Sequence, residues 1–426
     1  MGEGLGFSTI RGTVAGAVAL FVAGGAVAEP RDKPPMAETE MALHDPLPRE
    51  EVPTGPGVRA GSFVLFPVLG LGETFDDNIF ASRDDRKADF VRTVSPALIA
   101  VTEGKDRFAR LQIGAEAGLY KWHSSENYFD GHLSAESRMS LSAATQIFGG
   151  AWAGRDHEER ESPNEVFGRE PTRYFDLRGY GGVRHRMENL TLTAGGRVER
   201  LDFRDTSAAG GAINNDDRDR NILGGGVQAS YALMDGFEPF IQAGLIARRY
   251  DDARDDNGFA RDSTGMRFLA GARFRPAPNI LAQAFAGLMI QNYDDARLKD
   301  IRRPALGASL NWTLAPETRL GAILDRALDE TTLSGASGIV DTTAALFLRH
   351  GFTDRIAANL RLGLTRSEFP GAGRVDDLAF VGGTVSWRIN SRFYLIGEYT
   401  WTGQTSTADG EAYRRNRVLL GLEGRF

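Results

Sequence analysis

The chain has 426 residues, no cysteine, 51 glycines against 17 prolines, and a formal net charge of -7. Without cysteine there is no disulfide scaffold, so an exported protein of this length must be held by its own secondary structure. The mildly polar average composition does not exclude a membrane protein, because a barrel wall hides its apolar residues in alternation with polar ones.

The first predicted element is an export signal. Arg11 precedes an apolar run from Thr13 to Val27, and the triplet Ala26-Val27-Ala28 supplies small residues for cleavage after Ala28. The run is shorter than the roughly 20 apolar residues of a spanning helix. With no cysteine at the cut, lipid attachment there is excluded. Residues 29–60 follow as a periplasmic extension, and seven of the 17 prolines fall within 29–57. Such a stretch buries too little surface to offset chain entropy and is expected to be disordered. The remainder, 61–426, is expected to be one domain.

That remainder repeats a single unit, a long run with apolar side chains at every second position and then a connection. The first run ends in Asp76-Asp77-Asn78, and the second carries Ser95-Pro96. In the third, Ala109, Leu111, Ile113, Ala115, Ala117 and Leu119 alternate with Arg110, Gln112, Gly114, Glu116, Gly118 and Tyr120. The same period of two recurs in the runs starting at Leu190, Ile241 and Ile356, with full charges on the polar face. Soluble sandwich strands run to about 5 or 6 residues. These are about twice as long and match what is needed to cross a bilayer.

Short connections, as at 103–105, 234–236, 316–317 and 389–391, alternate with long ones, as at 76–87, 158–171, 205–217 and 251–261. Short periplasmic turns and longer extracellular loops are the pattern of outer-membrane barrels. The pattern predicts an all-β, antiparallel, up-and-down transmembrane barrel of about 18 strands in the outer membrane of a Gram-negative bacterium, with outer-membrane lipid as its surroundings. A count of 16 is the alternative, because the runs around 91–101 and 149–155 alternate poorly. Aromatic residues near the strand ends, among them Tyr120, Trp122, Tyr128, Tyr174, Tyr250, Tyr293, Trp312, Trp387, Tyr399 and Tyr413, are expected to form interfacial girdles. The last run alternates through Val418, Leu420 and Leu422 to the terminal Phe426, and an ending of this kind resembles the signal read by the outer-membrane assembly machinery.

Leu69-Gly70-Leu71-Gly72-Glu73-Thr74-Phe75-Asp76-Asp77-Asn78-Ile79-Phe80, followed by Val91-Arg92-Thr93-Val94-Ser95-Pro96-Ala97-Leu98, resembles the opening signature of a family of β-barrel porins. Asp76, Asp77 and Asn78 carry the match. The resemblance covers 62–426 and implies a channel with no catalytic residues. Members are often encoded beside capsule or exopolysaccharide export systems. It therefore implies export or passage of an anionic polysaccharide, with periplasmic export components as partners.

The predicted inner face is rich in arginine. Arg110, Arg138, Arg178, Arg197, Arg248, Arg267, Arg273, Arg319, Arg361, Arg388, Arg415 and Arg417 fall on it, beside Glu116, Glu136, Asp176, Glu199, Asp325, Glu398 and Glu423. Such arginines either line an anion path or form ladders with carboxylates that brace the wall. The acid-rich loops at 214–219 and 251–257 lack calcium-loop spacing. The six histidines have no metal or nucleophile motif, and no cofactor, metal or nucleic-acid module is expected. Three rivals to polysaccharide passage follow. A small-solute diffusion porin would fold a long loop inward, a structural or adhesive barrel would be occluded, and a barrel hydrolase would use His123 or His157.

Overall fold

The computed structural model describes residues 56–426, except Lys105 and Ala209. The predicted export signal and nearly all of the extension lie outside the described residues. Eighteen long strands form one closed antiparallel sheet. They are β1 (Phe63–Asp76), β2 (Asp89–Glu103), β3 (Arg107–Tyr120), β4 (Tyr128–Ser140), β5 (Thr145–His157) and β6 (Arg173–Met187). Next come β7 (Leu190–Phe203), β8 (Arg220–Tyr231), β9 (Phe237–Tyr250), β10 (Ser263–Ala277), β11 (Ile280–Tyr293) and β12 (Ile301–Ala315). The ring is completed by β13 (Thr318–Asp329), β14 (Ile339–Gly351), β15 (Ile356–Phe369), β16 (Arg374–Arg388), β17 (Phe393–Ser406) and β18 (Tyr413–Arg425). Each strand pairs with its sequence neighbours, and β1 pairs with β18 from Val68↔Arg425 to Asp76↔Arg417. Val58–Ala60, assigned from sequence to the disordered extension, instead pair with Phe63–Leu65 as a short hairpin arm. Closure matters because an open sheet edge in hydrocarbon would leave backbone groups unsatisfied at several kcal/mol each. With about 4.8 Å between strands and a tilt near 40°, eighteen strands give a backbone diameter of roughly 36 Å.

The two faces separate as the alternation predicts. Ile113, Leu133, Leu177, Ile241 and Leu364 point outward and are exposed, whereas Glu116, Asp176, Arg197, Arg248 and Arg361 point inward and are buried. Glycine makes room for large inward side chains. A Cβ at Gly118 would lie 2.1 Å from the Tyr128 ring, and one at Gly382 would lie 2.1 Å from Arg361 Nε.

The girdle expected from sequence is only partly present. Trp122, Trp312, Trp387 and Tyr399 face outward, but Tyr293 and Tyr413 are buried inside, and Tyr128 and Tyr250 turn their hydroxyls to Glu116 and Glu330, each at 2.7 Å. Position near a strand end does not fix the face. Parity along the strand does, and it puts these tyrosines in the lumen.

Two prolines explain where the wall is irregular. Proline has no N–H for the ladder, so a strand carrying it loses pairing on one side. At Pro96 the β2–β3 ladder skips from Val94↔Ala117 to Ala97↔Gly114. In β12, Pro304 keeps its place opposite Leu288 of β11, while the ladder to β13 runs only from Gly307↔Asp325 to Ala315↔Thr318. Residues 301–306 therefore have no β13 partner, and an apolar cluster including Phe285, Met289, Tyr293, Ile301, Ala305 and Leu328 packs at this seam.

Candidate permeation pathway

The connection between β5 and β6, residues 158–172 and termed L3 below, does not extend away from the barrel. It lies across the mouth. Glu158 takes a two-pronged contact from Arg218, in the β7–β8 connection, at 2.8 and 3.0 Å. Arg160 donates to both oxygens of Glu126 at 2.8 and 2.9 Å and to Glu165 at 2.6 Å. Glu161 meets Arg415 of β18 at 2.8 Å, and the same guanidinium is held by Asp76 of β1 at 2.6 Å. Farthest across, Asn164 Nδ2 donates to the Glu330 carbonyl at 3.2 Å, and Thr331 Oγ1 donates to Asn164 Oδ1 at 2.6 Å.

These last contacts set the geometry of the mouth. Glu330 and Thr331 follow β13, almost opposite β5 and β6 in an eighteen-strand ring. Asn164 is seven residues beyond His157, so at most about 25 Å of extended chain reaches it. That is less than the roughly 36 Å diameter, so the β13–β14 connection must lean inward to meet it. It does so with support from Arg261, a buried guanidinium paired to Asp255 at 2.6 Å that donates to the carbonyls of Thr331 and Ala336 at 2.6 and 2.8 Å. Charge-assisted bonds of this kind are among the stronger ones a protein can make.

Electrostatics at the mouth are correspondingly unusual. Burial, then the charge of Glu158, push the Glu165 carboxyl up to about 7 against the pull of Arg160. Burial likewise raises Asp217, and it raises Asp219 to about 6 although the Phe203 amide donates to it. The acidic loops singled out in the sequence are engaged with basic side chains and backbone. Asp251 receives Arg200 through both oxygens at 2.6 and 2.7 Å, and Asp217 accepts from the Asp256 amide at 3.1 Å.

Many inward arginines are similarly engaged. Arg178 contacts Asp176 and lies 3.4 Å from Glu199. Arg248 meets Glu330 at 2.9 Å, Arg273 meets Glu238 at 3.1 Å, and Arg361 meets Glu398 at 2.6 Å. Arg110 stands opposite Glu136 in the ladder, and Arg138 lies over the Phe108 ring at 5.7 Å. Arg197 and Arg267 are buried on the inner wall, and Arg267 lies over the Phe285 ring at 5.4 Å. Arg319 and Arg349 face each other across β13 and β14, and Arg417 opposes Asp76. Arg388 sits at the exposed periplasmic end, donating to the Asp354 carbonyl at 2.7 Å.

The Asp76-Asp77-Asn78 motif has a structural task. Asp77 receives the amide and the side chain of Asn416, both at 2.7 Å, and Asn78 donates to the carbonyls of Ser82 and Arg414 at 2.8 and 2.9 Å. With the Asp76 and Arg415 pair, it fastens the first strand to the last. Phe426 completes the other end of that seam, its amide donating to the Pro67 carbonyl at 2.9 Å. His123 and His157 each contact an aspartate, Asp89 at 2.8 Å and Asp130 at 2.9 Å. Asp89 also accepts the amides of Lys121, Trp122 and His123, so that pair holds the turn after β3.

A family model described as Putative beta-barrel porin 2 matches residues 53–426. No curated protein matches the chain. Among solved structures, the outer membrane protein OpdK of Pseudomonas aeruginosa is similar at 12% identity and a TM-score of 0.46, over 85% of this chain and 99% of that one. OpdG of the same organism is similar at 16% identity and a TM-score of 0.42, over 85% and 98%. The ferric enterobactin receptor of Pseudomonas aeruginosa is similar at 8% identity and a TM-score of 0.45, over 85% and 80%.

Proposed function

This chain belongs to that porin family and is an outer-membrane β-barrel, and from that premise we propose that it is a passive channel for small solutes whose extracellular mouth is narrowed by L3. The observation that carries the reading is the contact of Asn164 with Glu330 and Thr331 on the far side of the ring. A loop held there divides the opening, so a solute must pass beside it. The inner wall supports weak charge selection, because Arg178, Arg248, Arg273 and Arg361 each stand beside a carboxylate. Passage of an anionic polysaccharide, implied by the sequence resemblance, requires L3 to leave the mouth.

The test is single-channel recording of the full chain in planar bilayers with potassium chloride. Steady conductance with a small reversal potential under a salt gradient supports the proposal. A silent protein, correctly folded, would overturn it and favour an occluded structural barrel.

A further inference from the structure

The lipid-facing wall is not smooth. Pro96, Ala115 and Gly131 follow one another across β2, β3 and β4, with Arg155 and Phe175 next in the same row on β5 and β6. The first three are small, and they form the floor of a groove of about 680 Å³. Its periplasmic bank is the next row, where Leu98, Ile113, Leu133 and Leu177 project outward. Val94 and Phe129 stand outward on the loop side.

The groove is apolar along its length and basic at one end. Arg155 shares the outward face with Gly131 and Phe175, donates one nitrogen to the Phe129 carbonyl, and has no carboxylate partner among the described residues. The Arg204 guanidinium lies over the Phe175 ring at 5.2 Å, and the Arg204 amide donates to the Arg173 carbonyl at 2.8 Å. Arg204 is exposed and Arg173 half-buried. They have carboxylate neighbours, Glu170 at 2.7 Å and Asp202 at 3.5 Å, so the cluster of three cations and two acids keeps a net positive charge. Three strand spacings of about 4.8 Å put Arg155 about 14 Å from Pro96.

We propose that this groove holds a phosphate-bearing lipid of the outer leaflet, with one acyl chain lying along Pro96, Ala115 and Gly131 and its phosphate on Arg155, Arg173 and Arg204. A concavity facing hydrocarbon is filled by a chain rather than by water, which would find no polar partners there. An outward arginine is tolerated near the bilayer surface, where a lipid phosphate lies within its reach and a charge-assisted hydrogen bond between the two is strong. The site lies on the outside of the wall and is independent of the channel inside it.

Gly131 provides a clean test, because a Cβ there would meet only the Gly114 carbonyl, at 3.7 Å. A leucine therefore fits outward and fills the groove. The full chain and its G131L and R155Q variants are extracted from outer membranes in mild detergent, checked for barrel folding by heat-modifiable gel mobility, and weighed by native mass spectrometry. Rebinding is measured with phosphatidylcholine vesicles containing lipid A or its dephosphorylated form. The native chain should retain adducts of phosphate-bearing lipid, G131L should lose them, and R155Q should bind lipid A about tenfold more weakly, as expected for one charge-assisted hydrogen bond. Adducts unchanged in the folded variants would overturn the proposal, as would equal binding of the two lipid A forms. A change in oligomeric state in G131L with unaltered lipid would also overturn it and assign the groove to a second copy of the chain.

Discussion

Replacing Arg160 by glutamine removes the cation at the centre of L3. The side chain makes three charge-assisted bonds, two to Glu126 and one to Glu165, and all three residues are buried. Removing one member of a buried ion pair typically costs about 3–5 kcal/mol, because the remaining charge has no compensation. Here the Glu126 carboxylate would be left uncompensated, since Glu165 is raised to about 7 even beside Arg160, and both lie in connections rather than in the strands. The cost falls on the docked position of L3, and about 3 kcal/mol changes its docked-to-released ratio more than a hundredfold. R160Q should therefore record with larger and noisier openings in planar bilayers, and L3 should become accessible to added protease. The triple variant R160Q/E126Q/E165Q, in which no charge is stranded, should return toward the native trace. If R160Q conducts like the native chain and its loop stays protected, L3 is not held by this cluster.

Three further outcomes follow from the same structure. Glu165 has its carboxyl raised from 4.5 to about 7 in the docked loop, so docking is fully favoured below the lower value and weakens as pH rises through the upper one. Open-channel noise should grow between pH 5 and pH 8, and E165Q should flatten that profile; an unchanged slope in E165Q would refute the assignment. Arg361→Ala strands the carboxylate of Glu398 and should lower the heat-modification temperature of the barrel while leaving ion preference nearly unchanged, with the opposite result restoring a selecting role for the inner arginines. At the Pro304 seam, the amides of 301–306 and 326–329 that point into the seam should exchange with deuterium sooner than those of the paired stretch from Gly307↔Asp325 onward, and equal protection would contradict the missing ladder.

The barrel was legible because its rule is local. Alternation of Ala109, Leu111 and Ile113 with Arg110, Gln112 and Gly114 fixes faces without knowledge of any partner, and it located the third strand within a residue or two. The runs that left 16 strands as an alternative are strands nonetheless. One is interrupted at Pro96, and the other carries Gly149 and Gly150, whose missing side chains blur the period. The mouth was not legible. L3 is held by Glu126, Arg218, Glu330 and Arg415, which are separated from their partners in the loop by up to 254 positions, and only the charged run Glu158-Glu159-Arg160-Glu161 marks it locally. Asp76-Asp77-Asn78 was visible as a signature, but its task became clear only beside Arg414, Arg415 and Asn416 of the closing strand.

A size cut-off measures directly whether L3 narrows the channel. Liposomes carrying the full chain, or the chain with residues 160–170 replaced by a short Gly-Ser turn, are challenged with neutral sugars and polyethylene glycols of increasing mass, and swelling is recorded. The native chain should admit small sugars and exclude the larger polymers, and the chain with the shortened loop should admit larger ones. Identical cut-offs for the two proteins, or free passage of large polymers through the native chain, would contradict narrowing by L3.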